Sequence, residues 1–164
     1  MPTSSELIGA KVIELILANA ASKIDLNGEP FAPYSFGYYL KKKYKKRSKA
    51  KSKKGKAKFL QDAKNAYESG KNNVTLVTSG AMLNSISVIN IDEEARNITI
   101  GFEDAEAAKV AFYHNISGAG KGRILRRFFG VKKGGEAELF AYATEILSKD
   151  LNFAVDVLTP YLRR

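Results

Sequence analysis

The chain has 164 residues, enough for one domain with its own core and too few to expect two. With no cysteine and a single histidine, a disulfide framework, a thiolate metal site and a multi-histidine centre are all excluded. The net charge of +10 suggests a nucleic-acid protein, but twelve of the 27 Lys and Arg residues lie between Lys41 and Lys58 with no acid among them; the fifteen elsewhere face 17 acidic residues, so the remainder carries about −2.

Met1 to Glu6 has no basic stretch, and the apolar run after it is interrupted by Lys11, Glu14 and Asn19, so neither a secretory signal nor a membrane span is expected. Ile8, Val12, Leu15 and Ile16 recur at helical spacing behind Ser4 or Ser5 as cap, which predicts a helix to about Ala21. Asp25 to Tyr34 holds an Asn-Gly pair and two prolines and reads as an ordered, aromatic-bearing loop. Phe36, Tyr38, Tyr39 and Tyr44 lead into the lysine-rich run 41–58. That run has almost nothing to bury and repels itself, so it is expected to be mobile.

A short helix is predicted over Phe59 to Glu68, stopped by Gly70. Val74 to Val77 reads as a short strand or extended lead-in, followed by a turn or short helix capped by Thr78 or Ser79 and carrying Met82, Leu83 and Ile86. Ile86 to Ile91 and Asn97 to Phe102 are β-branched, partly alternating runs joined by Asp92-Glu93-Glu94-Ala95-Arg96, the pattern of a β-hairpin. Ala105 to Tyr113 fits either a helical turn or an extended return to the sheet. Beyond the glycine loop Gly118 to Gly122 and the cluster Arg126 to Gly130, Leu139, Tyr142, Ala143 and Ile146 predict a helix that Leu151 to Leu162 continues or repeats. The order helix, loop, hairpin, loop, helix predicts an α+β domain over 1–164: a small antiparallel sheet built around the hairpin and flanked by N- and C-terminal helices.

Catalytic chemistry finds few residues. Gly118-Ala119-Gly120-Lys121-Gly122 has the look of a phosphate loop, but Asn115 and Gly122 stand where that motif needs Gly and Ser or Thr. His114 has no Ser, Cys or carboxylate pair beside it to complete a general-base constellation, and reads as a packed or interface residue. Asp92, Glu93 and Glu94 form a solvated turn rather than a metal site. The triplets at Asn73, Asn97 and Asn115 match the glycosylation pattern by chance. No catalytic, cofactor or metal residue is nominated. The lysines 41, 42, 43, 45, 46, 49, 51, 53, 54, 56 and 58, with Arg47, can neutralise phosphates without reading sequence, and only Tyr44 among them offers a stacking ring. Arg126, Arg127, Phe128 and Phe129 are of the types that dominate protein interfaces. Two readings stay open for them: an exposed contact, or a core segment with arginines at its edge.

Four stretches are also familiar in their order: Gly28 to Tyr34 before the lysine run; Leu76-Val77-Thr78-Ser79-Gly80-Ala81-Met82-Leu83-Asn84-Ser85-Ile86; Ala111-Phe112-Tyr113-His114-Asn115; and Arg126-Arg127-Phe128-Phe129-Gly130. Together they resemble the tail-completion proteins of the tailed-bacteriophage virion-morphogenesis family. Ser79-Gly80 stands where that family has Thr-Gly, and Ile124-Leu125 where it has Pro-Ala. The resemblance implies a non-enzymatic structural protein, assembled in the host cytoplasm and located at the head-tail junction of the virion. It implies a homo-oligomeric ring, a hexamer in the first instance, that touches neighbouring neck, connector and tail proteins, with no cofactor and no membrane. Arg126, Arg127, Phe128, Phe129, Gly130, Tyr113 and His114 are the expected assembly interface. Lys41, Lys42, Lys43, Lys45, Lys46, Arg47, Lys49, Lys51, Lys53, Lys54, Lys56 and Lys58 are the expected contact with packaged DNA or an acidic partner. The alternative is a nucleic-acid-binding protein working nonspecifically through 41–58.

Overall fold

Helix α1 spans Ser4–Ser22 and starts one residue earlier than the serines suggested. Thr3 is the cap: its hydroxyl accepts from the Glu6 N–H, and the Glu6 carboxylate accepts from the Thr3 N–H at 2.7 Å. Thr-x-x-Glu satisfies two orphan donors at once, which a serine cap one residue later would not. The computed structural model describes the chain except residues 44–52, 71–75, 77–79, 121 and 163–164, and it describes only the backbone at 42–43, 53–54 and 150–162.

The hairpin forms as expected, with β1 at Ile86–Asp92 and β2 at Asn97–Phe102, antiparallel from Ile86↔Phe102 to Asp92↔Asn97. The register slips at Ile89, a bulge that leaves this side chain half exposed over Gly101. Val88 and Ile98 face α1, and the approach is close. A Cβ on Gly9 would lie 2.6 Å from Val88 Cγ2, so the helix sits on the hairpin only because residue 9 has no side chain.

Two helices occupy the chain around the lysine run: α2 at Phe36–Lys43 and α3 at Lys53–Gly70. Within the run expected to be mobile, 41–43 and 53–58 are helical, and 44–52 lies outside the described residues. The aromatics explain the order. The Tyr67 ring lies 5.4 Å from those of Phe36 and Tyr39, its hydroxyl donates to the Tyr34 carbonyl, and Ala63 is fully buried. Lysine is a good helix former, so once one face is anchored α3 extends back through Lys53, well before the predicted Phe59.

The expected strand at 74–77 and the caps at Thr78 and Ser79 fall largely outside the described residues; Leu76 is buried in the core. Helix α4 is a single turn, Ala81–Asn84, that buries Met82 and Leu83, and Ile86 belongs to β1. Ala105 to Tyr113 resolves as helix: α5 spans Ala105–Phe112, capped by the Asp104 carboxylate on the Ala107 N–H, and widens into a π-helical turn at Tyr113–Ser117. Helix α6 runs unbroken from Gly135 to Leu162 and packs against α1, where Lys11 reaches both Glu14 and Glu138 at 3.0 Å.

The result is an α+β fold whose two-stranded sheet is flanked by the N- and C-terminal helices. Its core joins Ile16 and Ala20 of α1, Phe31, Leu76, Met82, Leu83, Ile86, Ala107 and Ala111 around Phe128, which is wholly enclosed. No helix among the described residues is long and apolar enough to cross a membrane.

Candidate functional site

The segment after the glycine loop is an extended strap, and its burial alternates. Arg126 and Phe128 are buried, while Leu125 and Arg127 are exposed. Extended backbone sends successive side chains to opposite sides, so one arginine and one phenylalanine go inward together. The strap is laced to distant parts of the chain by its own backbone. The Arg126 N–H donates to the His114 carbonyl at 2.7 Å, the Arg127 carbonyl accepts from Leu26, and the Gly130 carbonyl accepts from Asn19. Asn115 acts as a two-sided clasp: its Oδ1 accepts from the Phe128 and Phe129 N–H groups at 2.9 and 3.0 Å, and its Nδ2 donates to the Ala111 carbonyl at 2.8 Å.

Arg126 is the centre of this arrangement. Only 3% of it is exposed, yet it has no ion pair among the described residues. Its Nε donates to the Ala32 carbonyl at 2.8 Å and its Nη2 to the Pro33 carbonyl at 3.0 Å, and the guanidinium lies 4.5 Å from the centre of the Tyr34 ring. Carbonyl dipoles and a π face thus offset part of the cost of burying this charge. Burial lowers the guanidinium pKa and the Tyr34 and Tyr38 oxygens oppose that shift; burial likewise raises the Tyr34 pKa against the pull of Arg126.

Around this centre lie two adjoining cavities. The larger, about 590 Å³, has Arg126, Tyr34, Tyr38 and His114 on its walls, with Lys41 of α2 and the glycine loop at its edge. No described acid lines it. The smaller, about 290 Å³, shares Tyr34, Tyr38 and His114 and adds Asp104 and Glu106. Both of those acids are engaged, Asp104 as the α5 cap and Glu106 with Lys109. Burial first, and then the Arg126 charge, push the His114 pKa down to about 4, so the imidazole is neutral at pH 7. Its Nδ1 is buried and has no hydrogen-bond partner among the described residues.

An antiparallel Ala119–Ile124 bridge joins the two sides of the glycine loop. Gly118, at φ +82°, is obligatory: a Cβ there would collide with the Arg123 carbonyl. The loop turns the chain from the π turn into the strap. Among the described residues no three His, Asp or Glu side chains gather to hold a metal.

The expected interface therefore divides. Arg126 and Phe128 are interior, Arg126 facing the larger cavity, and Phe129 is half-buried with its ring 4.8 Å from that of Phe102. Gly130 packs on Leu26. Arg127 and Tyr113 are exposed, and His114 is half-buried in the cavity wall. Of the basic run, Lys41, Lys56 and Lys58 are at least partly exposed, Lys42, Lys43, Lys53 and Lys54 sit on helix backbone, and Lys45, Lys46, Arg47, Lys49 and Lys51 lie outside the described residues.

Sequence reasoning missed the exposed apolar surface on α5 and the π turn, where Val110, Phe112, Tyr113 and Ile116 are 43%, 49%, 46% and 68% exposed. The signal was present: α5 is too short to turn all its apolar residues inward. It also passed over Asn115, whose amide is the clasp. Compared with known proteins, the chain shows no significant match to a family model, a curated protein or a solved structure.

Proposed function

We propose that the protein is a non-enzymatic structural subunit of a tailed-bacteriophage virion, completing the tail or neck and joining head to tail as part of a ring. One observation carries this reading. Three of the four stretches that resemble the tail-completion family, separated by up to about a hundred residues, converge on Arg126: the Gly28–Tyr34 loop supplies its two carbonyls and its ring, the Ala111–Asn115 stretch accepts its N–H and clasps its neighbours, and Arg126–Gly130 is the strap itself. The fourth stretch supplies Leu76, Met82, Leu83 and Ile86 to the same core. Motifs that are individually weak thus serve one structural purpose, which supports their being a single family signature rather than four coincidences.

On this reading the exposed contact surface includes what the strap holds in place: Arg127 and the apolar face of Val110, Phe112, Tyr113 and Ile116. An apolar patch with an arginine at its edge suits a subunit interface. The test is electron microscopy of purified particles carrying a labelled copy of the chain. Density in the neck is the expected result. Particles that lack the chain, or that join heads to tails normally when it is deleted, would overturn the proposal.

A further inference from the structure

Arg126 is a buried cation in a cavity that no described acid lines, with Lys41 beside it and an unpartnered imidazole nitrogen in the wall. A buried charge without a counter-charge is costly, and the two backbone carbonyls occupy only two of its five N–H donors. The cavity is therefore built to accept an anion. The hairpin turn supplies one. Asp92, Glu93 and Glu94 are exposed there, and with Arg96 beside them the turn remains net negative. Asp92 is used by the turn itself and Glu93 accepts from the Ser5 hydroxyl, but Glu94 has no hydrogen bond or ion pair among the described residues.

These two features lie at opposite ends of α1. The Glu93–Ser5 bond ties the hairpin turn to the first turn of α1, whereas the loop that holds Arg126 leaves the last turn of α1. A helix of 19 residues separates them by about 28 Å. The turn cannot reach its own cavity.

We propose that the acidic hairpin turn of one copy inserts into the Arg126 cavity of the next, with Glu94 received by Arg126 and Lys41. Such a contact joins two different surfaces head to tail, so it repeats around a ring when the rotation closes. The inference rests on the reading that copies of this chain associate in a ring, and names the contact by which they do so.

The absence of cysteine makes the test direct. Ala95→Cys marks the turn and Gly37→Cys marks the cavity edge, where nothing within 4 Å obstructs a side chain. The two full-length variants are mixed in equal amounts and oxidised. Mixed disulfide should exceed like-with-like disulfide by about fivefold at low salt, the factor the exposed Glu94–Lys41 pair can supply, and should fall to parity at about 1 M salt. Adding Glu94→Lys to the Ala95→Cys chain should abolish the excess, and adding Lys41→Glu to the Gly37→Cys chain should then restore it. Parity at low salt, or an excess that ignores both charge changes, overturns the contact. So does duplex DNA that shields the Gly37→Cys thiol while the disulfides stay at parity, since the cavity then takes phosphate. A chain that oligomerises by mass yet gives parity loses this contact and keeps the ring; one that is also monomeric at every concentration loses both.

Discussion

Asn115 and His114 are neighbours with opposite dispositions toward their surroundings. The Asn115 amide is committed to three backbone groups, two on the strap and one on α5. Replacing it with alanine leaves those groups unpaired in a partly buried position, at a cost of about 3 kcal/mol. Thermal unfolding of Asn115→Ala should accordingly begin about 6–12 °C lower, while Arg127→Ala, exposed one residue from the clasped pair, should stay within about 0.5 kcal/mol of the parent. His114 makes its presence felt through pH. Its folded pKa of about 4 lies below the 6.5 of an unhindered imidazole. Between those values the unfolded chain binds a proton that the folded chain refuses, so stability from this group is complete above pH 6.5 and is lost as pH falls toward 4. His114→Gln should flatten the stability profile across that window relative to the parent. Parallel profiles for the two proteins would show that His114 titrates normally.

Among the elements, the seat of α1 on the hairpin sets two glycine effects against each other. Alanine at position 9 gains about 1 kcal/mol of helix propensity, but its methyl would stand 2.6 Å from Val88 Cγ2, and such overpacking costs about 1–3 kcal/mol. The clash should win: denaturant midpoints are expected to fall for Gly9→Ala and to recover when Val88→Ala is added, because the two changes share one contact. Loss of stability that Val88→Ala leaves untouched would place the strain elsewhere. The hairpin and α1 were legible because their patterns are local: β-branched alternation for one, a helical apolar stripe for the other. α2 and the first part of α3 were not, since their order depends on Phe36, Tyr39 and Tyr67 meeting across the lysine run. The strap was half legible. Arginine beside phenylalanine read as an adhesive surface, and only its period of two, which sends Arg126 and Phe128 inward together, signalled otherwise. That Ala32 and Pro33, more than ninety residues earlier, would receive the guanidinium is a tertiary fact no local pattern encodes.

For the molecule as a whole, charge is distributed by task. The run from Lys41 to Lys58 carries twelve positive charges and the remainder about −2, so any long-range attraction to nucleic acid is separable by mutation from contacts made by the folded body. Lys41 belongs to the cavity, which leaves eleven basic residues from Lys42 to Lys58 for any contact with DNA. Changing those eleven to glutamine should remove most nonspecific DNA affinity and flatten its salt dependence, because the counterions released on binding are theirs. If the protein is a neck subunit, the same variant should still join heads to tails, since the cavity, the hairpin turn and the apolar face of α5 are unchanged. Joining measured as infectious particles, beside DNA retention at two salt concentrations, separates the possibilities. Loss of both together would make the basic run the working part and the folded body its carrier.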